Sequence, residues 1–116
     1  MRRTLVTTGL FFVFALVSSA GIATAQDAAL VKKGQEVYTA QKCSVCHAIA
    51  GKGGKANPLD GVGAKLSADD IRAWIVDPVA MAAKTSSSKK PPMPKKWANL
   101  PAADLDGLVA YMQSLK

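Results

Sequence analysis

The apolar residues of the chain recur at helical intervals in three segments. In the first segment, residues 28–41, one stripe is formed by Leu30, Val31, Gly34, Val37 and Tyr38. Steps of three and four place such residues on one face of an α-helix. The pattern therefore predicts a helix that begins after an N-cap at Asp27.

Two further helices are predicted downstream. In "LSADDIRAWIVDP" the apolar face is formed by Ile71, Trp74 and Ile75. Ser67 and Asp70 approximate a capping box at its start, and Pro78 predicts its end. In "PAADLDGLVAYMQSLK" the apolar stripe is formed by Leu105, Leu108, Val109, Met112 and Leu115. Pro101 has no side-chain acceptor, so Asn99 is the candidate N-cap of this last helix.

The segments between these helices have no periodicity. "AGKGGKANPLDGVGAK" contains five glycines, and "KTSSSKKPPMPKK" is basic and rich in proline. Such compositions predict loops, the second of them extended and stiff. No segment alternates in the way that would predict a strand. We therefore expect an all-α domain of three or four short helices, whose long loops need a central body to wrap around.

The N-terminal residues resemble an export signal rather than part of the fold. Arg2 and Arg3 precede the apolar run "LFFVFALV", and small residues lead to "ATA", which ends at Ala25. This order is typical of a cleavable signal peptide, and the run is short for a membrane span. An uncleaved membrane anchor is the alternative. We expect residues 1–25 to be removed, leaving residues 26–116 as a periplasmic domain without stable membrane insertion.

Net charge narrows the possible partners. Without Arg2 and Arg3, the 15 basic residues become 13 against 8 acidic ones, a net charge of +5. A basic surface favours acidic partners. Nucleic acid is not expected to be one of them, because the exported chain has few aromatic residues and no recognition motif.

The run "QKCSVCH" holds both cysteines and the only histidine of the chain. On a helical turn, Cys43, Cys46 and His47 face the same way, and C-x-x-C-H is the signature of covalent haem attachment. Each thiol would add to one vinyl group of the porphyrin, and the imidazole would bind the iron. A structural zinc site would need four such ligands. A thioredoxin-like dithiol would lie beside a βαβ pattern, which the sequence does not show. We therefore expect one covalently attached haem c.

A haem iron with a second protein ligand mostly passes electrons, and the four methionines of the chain are candidates for that ligand. Met93 lies between Pro92 and Pro94, which would present its thioether at low conformational cost. Met81, in an alanine-rich stretch, is the alternative ligand. Met112, on the apolar face of the last helix, has the pattern of a core residue.

Together these features resemble a small class I bacterial cytochrome c, from the first predicted helix to the last residue. The resemblance is carried by Gly34 and Tyr38 ahead of "CSVCH", followed by "NPLDGVG", "AWIVDP", "PPMP" and "LVAYMQSL". It implies that the first and last helices cross near Gly34, Tyr38 and Tyr111. It also implies that His47 and Met93 are the axial ligands of one wrapped haem.

The resemblance also assigns less central residues to a haem pocket. It implies that the Pro58 carbonyl accepts the second N–H of His47, that Leu59 lies in the pocket, and that the Trp74 indole reaches a haem propionate. "NPLDG" departs from the family in having Asn57 before the proline. Trp97 has no counterpart, and is expected either to cover the haem edge or to pack under the loop.

These expectations lead to a function. We expect a monomeric, diffusible electron carrier that exchanges single electrons through the haem edge with acidic redox proteins, whether oxidase, reductase or dehydrogenase. The basic residues expected to steer those partners are Lys84, Lys89, Lys90, Lys95 and Lys96. The alternatives are a haem enzyme or gas sensor with an open sixth position, and a thiol–disulfide oxidoreductase without haem.

Overall fold

The computed structural model describes the backbone of residues 20–116 and the side chains of residues 27–116. The charged start and the apolar run of the predicted signal peptide lie outside the described residues, so its cleavage stays a prediction. Among the described residues, no helix combines the length and the apolar character needed to cross a bilayer.

Helices dominate the described part of the chain, residues 20–116. They are α1 (Ala20–Ala40), α2 (Val62–Lys65), α3 (Ala68–Val76), α4 (Pro78–Lys84) and α5 (Ala102–Ser114). The expected all-α class is confirmed, although the described residues contain five helices where three or four were expected. One 3-10 turn, Cys43–Val45, and two antiparallel strands, β1 (Ala48–Ile49) and β2 (Lys52–Gly53), lie between α1 and α2. Two-residue strands are too short to show alternation, which is why the sequence did not predict them.

The ends of the helices follow the sequence in part. The Ser67 hydroxyl accepts a hydrogen bond from the Asp70 N–H (3.1 Å), which confirms the predicted cap of α3. The expected cap of α1 at Asp27 is wrong: Asp27 lies inside the helix, whose described part extends from Ala20, because the alanine-rich residues on both sides of Asp27 favour helix. The expected cap of α5 is also wrong, since Pro101 occupies the N-cap position without a side-chain hydrogen bond.

Helices α1 and α5 cross at their glycines. A Cβ atom on Gly34 would overlap the Gly107 carbonyl and come within 2.6 Å of the Tyr111 Cβ, so the two backbones approach more closely than any side chain would allow. Beside the crossing, the rings of Tyr38 and Tyr111 meet edge to face with centroids 5.7 Å apart. The helix crossing implied by the resemblance is present.

A single apolar core follows from this crossing. Its buried side chains are Val37, Tyr38, Ile71, Ile75, Trp97, Leu108, Val109 and Met112. They come from α1, α3, α5 and the loop before α5, and Gln113 Nε2 ties α5 to the Leu66 carbonyl (2.9 Å). The apolar core therefore borders the open space that lies between the helices and the loops.

Candidate haem-binding site

The Cys-x-x-Cys-His run turns tightly just after α1. Lys42 takes a left-handed conformation (φ 56°) that ends the helix, and a 3-10 turn begins at Cys43. The N–H groups of Cys46 and His47 both donate to the Cys43 carbonyl, at 3.2 and 3.0 Å. As predicted, this turn brings Cys43, Cys46 and His47 to the wall of one cavity.

The cavity has a volume of about 1090 Å³ and is lined mainly by apolar side chains. Its apolar wall is formed by Leu59, Leu66, Ile71, Trp74, Ile75 and Leu108. Two thiols and an imidazole, those of Cys43, Cys46 and His47, also line this cavity. A large apolar space with few polar groups is typical of a cofactor site, and this donor set suits a covalently held haem. The residues therefore fit the group that the sequence implied.

The ring of His47 is oriented by a backbone carbonyl. Its Nδ1–H donates to the Asn57 carbonyl oxygen at 2.8 Å. Because that oxygen can only accept, Nε2 keeps its lone pair available for a metal. The predicted acceptor, the Pro58 carbonyl, is wrong by one residue. The Leu59 N–H donates to the Ala48 carbonyl (2.8 Å), and this contact aligns Asn57 with the ring.

Tyr38 contacts the backbone of the same histidine. Its hydroxyl donates to the His47 carbonyl at 3.1 Å. Burial raises the pKa of Tyr38 to about 12, so the phenol stays a hydrogen-bond donor to a higher pH than an exposed tyrosine would. Burial likewise raises the pKa of the Cys43 thiol. The helix-crossing tyrosine thus also contacts the attachment run.

The structure separates the candidate methionine ligands. Met93 is half-buried and lines the cavity, whereas Met81 is buried on α4 and does not line it. Met112 also lines the cavity, but it is buried within α5 as a member of the core. Of these three, Met93 alone lies in a loop that faces the cavity.

The two tryptophans both line the cavity, in different environments. Trp74 is half-buried on α3 at the apolar wall. Trp97 is only 9% exposed, and its indole N–H donates to the Gln41 side-chain oxygen at 3.1 Å. The Lys96 ammonium lies 4.9 Å from the centre of the Trp97 ring. Trp97 therefore packs in the apolar core and also lines the cavity, whereas coverage of the haem edge stays a prediction.

Positive charge surrounds the cavity in a different arrangement from the predicted one. The lysines that line it, hereafter the lysine rim, are Lys42, Lys65, Lys89, Lys90 and Lys96. Lys84 does not line the cavity. Lys95 is paired with Asp77 at 2.7 Å, an ion pair that lowers the pKa of that carboxyl. Sequence reasoning missed Lys42 and Lys65, although Lys42 is adjacent to Cys43.

Comparisons with known proteins agree with this site. The family described as Cytochrome c matches residues 31–116. A curated relative, cytochrome c oxidase subunit 2 of Alkalihalophilus pseudofirmus, is 28% identical over 96 residues, which cover 75% of this chain. The chain spans 26% of the length of that relative. No solved structure matches. A family match over most of the chain, together with a cavity suited to covalent haem, shows that the chain belongs to the cytochrome c family, electron-transfer proteins with covalently attached haem c.

Proposed function

We propose that this protein is a periplasmic carrier that shuttles single electrons between redox proteins. Cys43 and Cys46 are the thioether anchors of the haem, and His47 and Met93 are its axial ligands. The observation that carries the proposal is the convergence of these four sulfur and nitrogen donors on one apolar cavity of about 1090 Å³. Pro58, Leu59 and Trp74 line the same cavity and complete the pocket.

Bound haem supplies a reversible one-electron couple between Fe(III) and Fe(II). The chain's own residues decide how that couple behaves. The Asn57 carbonyl holds the His47 ring in one orientation and raises its basicity as a ligand. Ligation of the iron by Met93 as well as His47 would raise the reduction potential above that of a haem with two nitrogen ligands. The apolar walls exclude water, so little has to rearrange when one electron enters or leaves.

The surface around the cavity supports acidic partners. Val45 and Val79, which are 72% and 63% exposed, line the cavity alongside the lysine rim. An apolar contact area surrounded by positive charge suits brief docking between an acidic redox protein and a monomeric carrier. The similarity to an oxidase subunit supports an oxidase as one such partner.

Periplasmic location rests on the signal-like residues 1–25. It is tested by cell fractionation and by the mass of the purified protein. A mature chain that begins at Gln26 supports export, and an intact chain in the cytoplasm contradicts it.

The axial assignment is tested by replacing Met93 with alanine. The oxidised holoprotein is expected to show the weak far-red band of methionine–iron ligation, and Met93→Ala is expected to lose it while the haem stays attached. Met81→Leu is the matched control, because Met81 lies away from the cavity and its replacement is expected to keep the band. A band that survives in Met93→Ala contradicts the assignment. A wild-type protein without the band would instead indicate an open sixth position.

A further inference from the structure

Haem attachment and ligation leave one cavity-lining contact unexplained. Trp97 follows Met93 by four residues, Gln41 precedes Cys43 by two, and the Trp97 N–H donates to the Gln41 side chain at 3.1 Å. We propose that this hydrogen bond, the Gln41–Trp97 clasp, holds the Met93 loop against the haem-attachment run. The clasp slows dissociation of the sixth ligand. This inference rests on the proposed ligation by Met93.

The short chain between Met93 and Trp97 couples their positions. Pro92 and Pro94 restrict the backbone on both sides of Met93. The Lys96 N–H donates to the Pro94 carbonyl at 3.1 Å, which closes a tight turn directly before Trp97. Because this segment is stiff and turns tightly, Met93 cannot move away from the cavity while Trp97 keeps its position in the core. Departure of Met93 therefore strains or breaks the contact made by Trp97.

The buried end of this segment is well anchored. Trp97 is 9% exposed and belongs to the apolar core, so its N–H depends on a protein acceptor. Gln41 supplies that acceptor from a half-buried position immediately after α1. The Lys96 ammonium, 4.9 Å from the ring centre, lies over the ring face. Trp97 is thus held in place by its surroundings, and the backbone of Gln41 is held by its N–H, which donates to the Val37 carbonyl at 2.8 Å.

The Met93 loop makes a second side-chain contact, an ion pair, which serves as a comparison for the clasp. Lys95 pairs with Asp77 at 2.7 Å, with side chains 50% and 38% exposed. Water and salt screen an exposed ion pair, which therefore contributes little. Lys95→Gln removes this exposed loop contact without touching the part-buried hydrogen bond between Trp97 and Gln41, and is a matched control.

The test measures how fast imidazole replaces the sixth ligand in the oxidised holoprotein, at imidazole concentrations where the rate no longer rises. Gln41→Leu and Trp97→Phe each remove one side of the hydrogen bond and are expected to accelerate replacement about fivefold. Gln41→Glu keeps an acceptor oxygen and is expected, like Lys95→Gln, to stay within about twofold of the wild type. The double variant Gln41→Leu/Trp97→Phe is expected to be no faster than either single variant, since both act on one bond.

Rates in Gln41→Leu and Trp97→Phe that match the wild type would overturn the clasp. Fully additive effects in the double variant would also overturn it, because they would indicate general loosening of the core. If circular dichroism shows that Trp97→Phe does not fold, the clasp is tested by the two Gln41 variants alone. Faster replacement in Gln41→Leu than in Gln41→Glu would support the clasp, and equal rates would overturn it. The far-red band, lost only in Met93→Ala, tests the axial assignment separately. Retention of the band in that variant would refute ligation by Met93 and with it the role of the clasp in holding the sixth ligand, whereas loss of the band with unchanged rates in Gln41→Leu and Trp97→Phe would refute the clasp alone.

Discussion

At the scale of single residues, the surroundings of His47 show which contacts the Cys-x-x-Cys-His motif does not predict. The attachment run predicted that His47 faces the haem, and the structure brings it to the cavity. The partners of the ring and of the backbone, Asn57 and Tyr38, lie ten and nine residues away. Loop geometry decided between Asn57 and Pro58, and neither residue type signals such a role, because every residue has a carbonyl.

Tyr38 is expected to stabilise the attachment run through its hydroxyl. Tyr38→Phe removes the bond to the His47 carbonyl and should lower the free energy of unfolding by about 1 kcal/mol in denaturant titrations. Tyr111→Phe is the control, since the edge-to-face contact of the two rings survives in both variants. Equal stability of Tyr38→Phe and the wild type would show that the bond contributes nothing.

The pKa of Tyr38 adds a pH dependence. Burial raises the pKa from its ordinary 10.0 to about 12, so the folded state favours the neutral phenol. Its contribution to the free energy of unfolding is constant below pH 10 and is lost as the pH rises from 10 to about 12. Carbon-13 NMR of labelled tyrosine should show a late ionisation that is absent from Tyr38→Phe. Ionisation of Tyr38 near its ordinary pKa of 10.0 would contradict its burial.

At the scale of helices, periodic apolar residues were sufficient to predict α3 and α5, which match the structure closely. Predictions about helix ends were less successful. The cap of α3 depends on residues three apart and was predicted, whereas the expected cap at Asp27 failed because residues 20–26, which precede it, are already helical. The short helices α2 and α4 span four and seven residues, too few for a periodic signal.

The close crossing of α1 and α5 predicts that a side chain at position 34 strongly lowers stability. Gly34→Ala places a Cβ against the Gly107 carbonyl and should lower the free energy of unfolding by about 3 kcal/mol. The higher helix propensity of alanine recovers only about 1 kcal/mol. Gly107→Ala should cost less, because its Cβ would come no closer than 3.0 Å to Gly34 N and the flexible Lys33 side chain. The measurement is denaturant unfolding of the holoproteins.

Glu36→Ala is the matched control for this series, since Glu36 is exposed on the same helix. Its stability should stay within about 0.5 kcal/mol of the wild type. The close crossing would be refuted if Gly34→Ala were as stable as this control, or if Gly107→Ala were the more damaging of the two glycine substitutions.

At the scale of the whole molecule, charge should govern encounters with other redox species. The lysine rim predicts that oxidation of the reduced protein by the anion hexacyanoferrate(III), which takes up one electron, slows as ionic strength rises. Oxidation by the cation tris(phenanthroline)cobalt(III) should respond in the opposite direction. Stopped-flow kinetics across a salt series measures both.

Two triple variants locate the effect on the surface. Lys89→Gln/Lys90→Gln/Lys96→Gln removes three charges beside the cavity, and Lys32→Gln/Lys52→Gln/Lys55→Gln removes three exposed charges away from it. The first variant should flatten the salt response more than the second, although the change in net charge is the same. A flat response in the wild type, or equal effects of the two variants, would assign these lysines to solubility alone.

The sequence by itself determined the helical class, the attachment run and the identity of the chemical groups available to a haem, because each of these depends on residues a few positions apart. Only the tertiary structure decided which distant groups meet. It brought Met93 and not Met81 to the cavity, chose Asn57 as the partner of His47, and paired Trp97 with Gln41 across 56 positions. Such contacts depend on how loops close over a core, and no local pattern encodes that path.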